Sequence, residues 1–213
     1  MDVCLTPEEL RVLGCLLEKK MATPEYYPLS LNALLNACNQ KANRMPVVTY
    51  DEPIVLQTLE ALRSHQLLWI NSSGRVVKYK EALVERFDLA DDQAAVLCIL
   101  LLRGPQTVGE IRGRTDRLHV FDGLEAVHDT LATLSELELL EQCARQPGQR
   151  EERFYHTLGP EMDTSGTEAA SARVIQPPAD QQRIALLEQE VATLTQDLTA
   201  LQQAFAQFKQ QFE

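Results

Sequence analysis

The sequence predicts a mainly α fold with small β-hairpins, an α+β chain, on three observations. An internal repeat fills most of the chain, each copy reads as three helices followed by a hairpin, and residues 183–213 carry an unbroken heptad seam. The repeat comes in three blocks. Leu5 to Leu17 aligns with Leu89 to Leu101 at an offset of 84, Pro28 to Leu34 with Pro105 to Ile111 at 77, and Val55 to Leu68 with Val127 to Leu140 at 72. The shared residues are mostly core types, so the repeat speaks for a shared fold and not for a shared site.

In the first copy Thr6 stands as an N-cap, with Pro7 at the first helical position and Glu9 three residues on, a capping box worth ~1 kcal/mol. Leu10, Leu13, Leu16 and Leu17 follow as a helical stripe. Ser30 caps a second helix bearing Leu31, Leu34 and Leu35. Asp51 caps a third, with Pro53 in its first turn and Val55, Leu59 and Leu62 facing inward. Leu67 to Ile70 and Val76 to Tyr79 flank the turn Ser72-Ser73-Gly74 and read as a hairpin. In the second copy Ala94 to Leu102 is a buried helix, Thr107 caps helix two and Asp122 opens helix three. Leu139 to Arg145 then pairs with Arg153 to Tyr155 across Pro147-Gly148. Three helices and a hairpin follow the order of a winged helix-turn-helix. The chain accordingly divides into tandem winged-helix domains at 1–87 and 88–159, a flexible Pro/Gly/Ser/Ala/Thr-rich linker at 160–182, and a coiled-coil helix at 183–213.

The coiled-coil seam is Ile184, Leu187, Val191, Leu194, Leu198, Leu201, Phe205, Phe208 and Phe212, alternating steps of three and four. A stripe that narrow suits self-association, so a homodimer through this tail is expected. The other reading is a lone amphipathic helix lying on its own domains.

Composition narrows the function classes. Net charge is −11, unevenly spread: residues 1–80 hold nine Lys/Arg against eight Asp/Glu, residues 81–160 eight against fifteen, and residues 161–213 three against eight. Such a chain is no natural polyanion binder, and any nucleic-acid contact must come from local patches. Five cysteines, odd in number and never spaced C-x-x-C, argue against a disulfide framework or a zinc site and imply a reducing compartment. The N-terminal stretch has no basic, apolar leader, and no apolar run approaches the ~20 residues of a membrane span. A cytoplasmic protein is expected.

The third helix of a winged-helix domain enters the major groove, where it should present Arg, Lys, Asn or Gln. From Asp51 to His65 this chain offers Asp51, Glu52 and Glu60 against Arg63 alone, and from Asp122 to Glu136 four acids and no Lys or Arg. Positive charge collects elsewhere, in Arg75, Lys78 and Lys80 of the first wing and in Arg112, Arg114 and Arg117 after helix two of the second copy. The loop Asn39-Gln40-Lys41-Ala42-Asn43-Arg44-Met45-Pro46 adds Asn39, Gln40, Lys41, Asn43 and Arg44 as candidates for partner or phosphate binding. Each set has a plain structural reading too, as lysines guarding an edge strand or side chains capping nearby helix ends. His65, His119, His128 and His156 share no ligand spacing, and no nucleophile elbow, P-loop or dinucleotide turn occurs. No catalytic residue, metal ligand or cofactor is assigned.

Leu17-Glu18, Thr23-Pro24-Glu25-Tyr26-Tyr27-Pro28-Leu29-Ser30, and above all Asn39 to Val47 resemble the YceH-like family of uncharacterised bacterial proteins, as does Leu101 to Thr107 with Gly109-Glu110. The resemblance implies tandem winged helices and a bacterial origin, and brings no activity with it. The expectation for function is a non-catalytic assembly or adaptor protein that binds a protein partner. The alternative is a DNA-binding regulator holding the phosphate backbone through wing one and the loop at 39–47. A third is a regulator with a small molecule between its domains.

Overall fold

The computed structural model describes residues 4–143 and 151–160, so the linker, the heptad seam and the tip at Pro147-Gly148 lie outside the described residues. The first repeat runs α1 (Pro7–Ala22), β1 (Leu29–Ser30), α2 (Leu31–Cys38), α3 (Glu52–Ser64), β2 (Leu68–Asn71) and β3 (Lys78–Glu81), and is followed by a short α4 (Leu83–Phe87). The second runs α5 (Asp91–Arg103), β4 (Gln106–Thr107), α6 (Val108–Thr115), α7 (Leu124–Glu136), β5 (Leu140–Gln142) and β6 (Arg153–His156). Each repeat closes a small antiparallel sheet, ordered β1-β3-β2 in one and β4-β6-β5 in the other. Starts of matching helices, Pro7 and Asp91, Leu31 and Val108, Glu52 and Leu124, fall 84, 77 and 72 residues apart, as the repeat requires.

Local chemistry sets these boundaries. The Thr6 backbone N–H donates to Glu9 Oε2 at 2.7 Å while the Glu9 N–H donates to Thr6 Oγ1 at 3.3 Å, closing the expected capping box. Ser30 Oγ accepts from the Ala33 N–H, Asp51 Oδ1 from the Ile54 N–H and Thr107 Oγ1 from the Glu110 N–H, so these three caps also stand where the sequence placed them. Asp122 does not open α7. Phe121 is buried and pins the chain there, Asp122 turns outward, and extended Gly123 takes the cap position before Leu124.

The first hairpin is also displaced from its expected strands. Val76 and Val77 lie outside β3, 57% and 42% exposed, and the strand starts at Lys78 so that Leu68 pairs with Glu81 and Asn71 with Lys78. The shift puts the Glu81 carboxylate inside. It accepts from Lys20 Nζ at 2.7 Å and from the Val84 N–H at 3.0 Å, tying α1, β3 and α4 together.

Both repeats fall in one compact unit, joined by α1 packing along α5. Ala94 to Leu102 is buried throughout, as its composition predicts. Gly14 makes the close approach: a Cβ there would stand 2.9 Å from Leu102 Cδ2 and 3.1 Å from Leu101 Cβ. Leu13 and Leu97, equivalent in the repeat, are both fully buried, each worth ~2–3 kcal/mol of apolar transfer. The ends are fastened as well, since the Leu5 N–H donates to the Leu158 carbonyl at 2.7 Å.

Candidate functional site

The loop between α2 and α3 is held at both ends and in the middle. At its base the Asn39 amide bridges both ways to Tyr50, Nδ2 donating to the Tyr50 carbonyl at 2.8 Å and Oδ1 accepting the Tyr50 N–H at 2.7 Å. Arg44 turns inward, with no exposed side-chain surface. Its guanidinium holds Glu18 with two bonds, at 3.0 and 2.7 Å, and also donates to the Ala37 and Asn43 carbonyls and to Gln40 Oε1. Burial works against the Arg44 charge, but the Glu18 carboxylate more than offsets it and holds the Arg44 pKa above its usual value. Burial likewise opposes the Glu18 charge, and Arg44 more than reverses that, so the carboxyl sits below its ordinary pKa.

On the far side the loop meets the second repeat. The Met45 N–H donates to the Leu102 carbonyl at 2.9 Å, Arg103 donates to Asn43 Oδ1, and Arg11 of α1 donates to the Pro46 carbonyl. Asn43 takes a left-handed backbone, φ 63°, which asparagine tolerates better than most residues. This junction walls a cleft of about 710 Å³ between the repeats.

Among the sequence candidates, Gln40, Lys41, Asn43, Arg114 and Arg117 line that cleft. Lys19 and Arg103, which the sequence reading missed, line it too. Both stand at helix C-termini, where a basic residue is already explained by the helix dipole, so nothing marked them out. Glu18 is the one acidic lining residue among the described residues, and its oxygens are taken by Arg44 and by Lys19 at 3.1 Å. Lys41 and Arg117 are exposed and make no ion pair among the described residues. Arg114 leans on Glu110 at 3.1 Å, an acid it shares with Arg153. The Arg103 Nε is buried without a partner among the described residues, and burial followed by the nearby Arg114 charge lowers the Arg103 pKa. Ile99, Leu102 and Leu118 supply an apolar floor.

The remaining candidates are not part of this cleft. Asn39 and Arg44 are spent on the loop's own structure. Arg112 is exposed on α6 outside the lining. Arg75 and Lys78 are exposed on the first hairpin, and Lys80 pairs there with Glu85, which also accepts the Trp69 indole N–H at 3.1 Å.

The outward faces of α3 and α7 form a second candidate surface. On α3, Ile54 and Leu56 are 37% and 40% exposed beside exposed Glu52 and Glu60, and Arg63 lies 3.7 Å from Glu60. On α7, Leu124 is 48% exposed, with Glu125, Asp129 and Glu136 exposed around it. Among the described residues no cluster of three or more His, Cys, Asp or Glu could hold a metal, and no helix is long and apolar enough to cross a membrane.

Residues 5–149 match the family model described as "Protein of unknown function, DUF480", a span that takes in the first repeat and the second as far as β5. The chain is 48% identical over 214 residues to a UPF0502 protein of Solibacter usitatus, covering 100% of each chain. It is 47% identical over 220 residues to one from Geobacter sulfurreducens, again over 100% of each. Against one from Opitutus terrae it is 46% identical over 192 residues, covering 88% of this chain and 81% of the relative.

Proposed function

The chain belongs to the DUF480 family of uncharacterised bacterial proteins, and from that premise we propose that it is a non-catalytic pair of winged-helix modules that docks on a protein partner. Each repeat's order of helix, strand, two helices and two strands, closed as a three-stranded sheet, supports the winged-helix reading. The observation that carries the function is the chemistry of the third helices. They expose Ile54 and Leu56, on the two flanks of the buried stripe of α3, and Leu124 of α7 among acids, and their one arginine lies 3.7 Å from Glu60. Against a duplex each acid would meet phosphates at ~4–7 Å, costing around 1 kcal/mol or more per pair at surface dielectrics. Against a protein the same faces complement an apolar patch with a basic rim. The heptad seam at 183–213, outside the described residues, supports a homodimer that presents these faces twice.

The alternative, a regulator gripping the DNA backbone, keeps Arg75 and Lys78 as free surface cations and loses Arg44, which is buried against Glu18. The deciding experiment is affinity purification from native cells with crosslinking, using the full chain and a Leu56→Asp/Leu124→Asp variant. Specific crosslinks from α3 and α7 to one basic-rimmed protein, lost in the variant, are the expected result. Sequence-specific, nanomolar binding to duplex DNA at ~150 mM salt would overturn the reading.

A further inference from the structure

We propose that the cleft between the repeats is a binding site for a small phosphate-bearing anion of nucleotide size. Five cations, Lys19, Lys41, Arg103, Arg114 and Arg117, converge on it from four separate segments of the chain. Its single acid among the described residues, Glu18, is held by Arg44 and Lys19, and Arg114 leans on Glu110, which leaves Lys41 and Arg117 at the rim with no ion pair among the described residues. Charge of one sign gathered in a concavity focuses the field on whatever enters it. The Arg103 Nε, buried and without a hydrogen-bond partner among the described residues, belongs to one of the side chains lining the hollow.

Shape narrows the ligand further. A volume of about 710 Å³ is within the ~300–1,000 Å³ typical of small-molecule sites and well beyond what inorganic phosphate fills. Cations at the rim over a floor of Ile99, Leu102 and Leu118 suit a molecule with a charged phosphate end and a flat, weakly polar body. A nucleic-acid strand fits less well, because its phosphates repeat along a line and need cations spaced along a track. Here the cations meet in one hollow, and the exposed Arg75 and Lys78 are not among its lining. The position bears on the third helices: Lys41 and Asn43 belong to the loop that leads into α3, while Arg114 lies in the last turn of α6 and Arg117 between α6 and α7, so a ligand here would touch the approach to both.

The test is calorimetric titration of the full chain with ADP, ATP, inorganic pyrophosphate and adenosine, repeated on Lys41→Ala/Arg117→Ala. Both side chains are exposed and make no ion pair among the described residues, so the double variant should melt within a degree or two of the parent. The expected result is binding of the nucleoside di- or triphosphate at least ~10-fold tighter than adenosine, with pyrophosphate competing and the double variant weakened ~10-fold or more. Binding that the double variant leaves unchanged overturns the site, and so does failure of every phosphate probe below ~1 mM. A single-stranded oligonucleotide that binds tighter than the mononucleotides and loses affinity in the double variant would make the hollow part of a nucleic-acid track and overturn the small-ligand assignment. None of these outcomes touches the α3 and α7 surfaces, so the site stands or falls apart from the protein-docking reading.

Discussion

Replacing Glu18 with Gln keeps its shape and removes its charge, leaving Arg44 buried without a counter-ion. The Arg44 side chain has no exposure and Glu18 only 14%, so water can do little to compensate. Losing one partner of a buried pair costs ~3–5 kcal/mol, and the slight exposure of Glu18 places this case near ~3 kcal/mol. With a urea m-value of ~2 kcal/mol per M, the midpoint should fall by about 1.5 M at unchanged slope. Arg44→Leu should cost a similar amount, because it strands the Ala37 carbonyl and the Glu18 charge together. The double variant should be less destabilised than the two singles added, with a coupling of ~2–3 kcal/mol. Acid adds an independent check. The folded pKa of Glu18 is depressed, so its stabilisation is present above the unfolded value near pH ~4.3 and drains away as pH falls through the folded value. Glu18→Gln should lack that part of the acid slope. A midpoint within ~0.3 M of the parent, or single costs that simply add, would refute the account of the loop as clamped by this pair.

Three further outcomes are expected. Leu13→Ala and Leu97→Ala should each cost ~2–5 kcal/mol, and because α1 packs along α5 the change in the second repeat should move the unfolding transition reported by the single tryptophan, Trp69, in the first; separate transitions in fluorescence and circular dichroism would show the repeats to be uncoupled. Burial holds His156 neutral with its pKa pushed down to about 4, so the unfolded chain binds the extra proton and stability should fall by ~3 kcal/mol as pH drops from ~6.5 to about 4. A His156→Phe chain titrated by urea at pH 7 and pH 5 should lose less stability between the two than the parent does. Finally, the full chain should sediment as a dimer at tens of micromolar and a chain ending near Glu161 as a monomer, with a full-length monomer counting against self-association through the seam.

What could be read from the sequence was what depends on neighbours along the chain. Thr6, Ser30, Asp51 and Thr107 cap their helices by bonding to a backbone N–H three residues on, an interaction that a short window contains whole. Leucine spacing exposed the inner faces of α1, α3 and α7 for the same reason. Arg44 and Glu81 show what escapes. Their partners Glu18 and Lys20 are 26 and 61 residues away, and an arginine or glutamate in a polar stretch looks alike whether it faces water or the interior. In the sequence Arg44 therefore looks like Lys41, a phosphate candidate, although one ends as scaffold and the other at the rim. The cleft draws on α1, the 39–47 loop, the end of α5 and the end of α6, so no single motif could carry it. Strands β1 and β4, two residues each, are too short to show any periodicity.

The clasped loop from Asn39 to Tyr50 also bears on the docking proposed for α3 and α7. One residue beyond Tyr50 is the cap of α3, while Met45 and Asn43 in the same loop are bonded to the end of α5. Under that proposal the α3 face is moored to the scaffold that bears the α7 face, and the two would act as prongs of one plug rather than as beads on a string. A partner with sockets at the matching spacing gains both contacts for the orientational cost of one. One with sockets set closer or wider engages a single prong and is turned away by gauge alone, with no clashing side chain required.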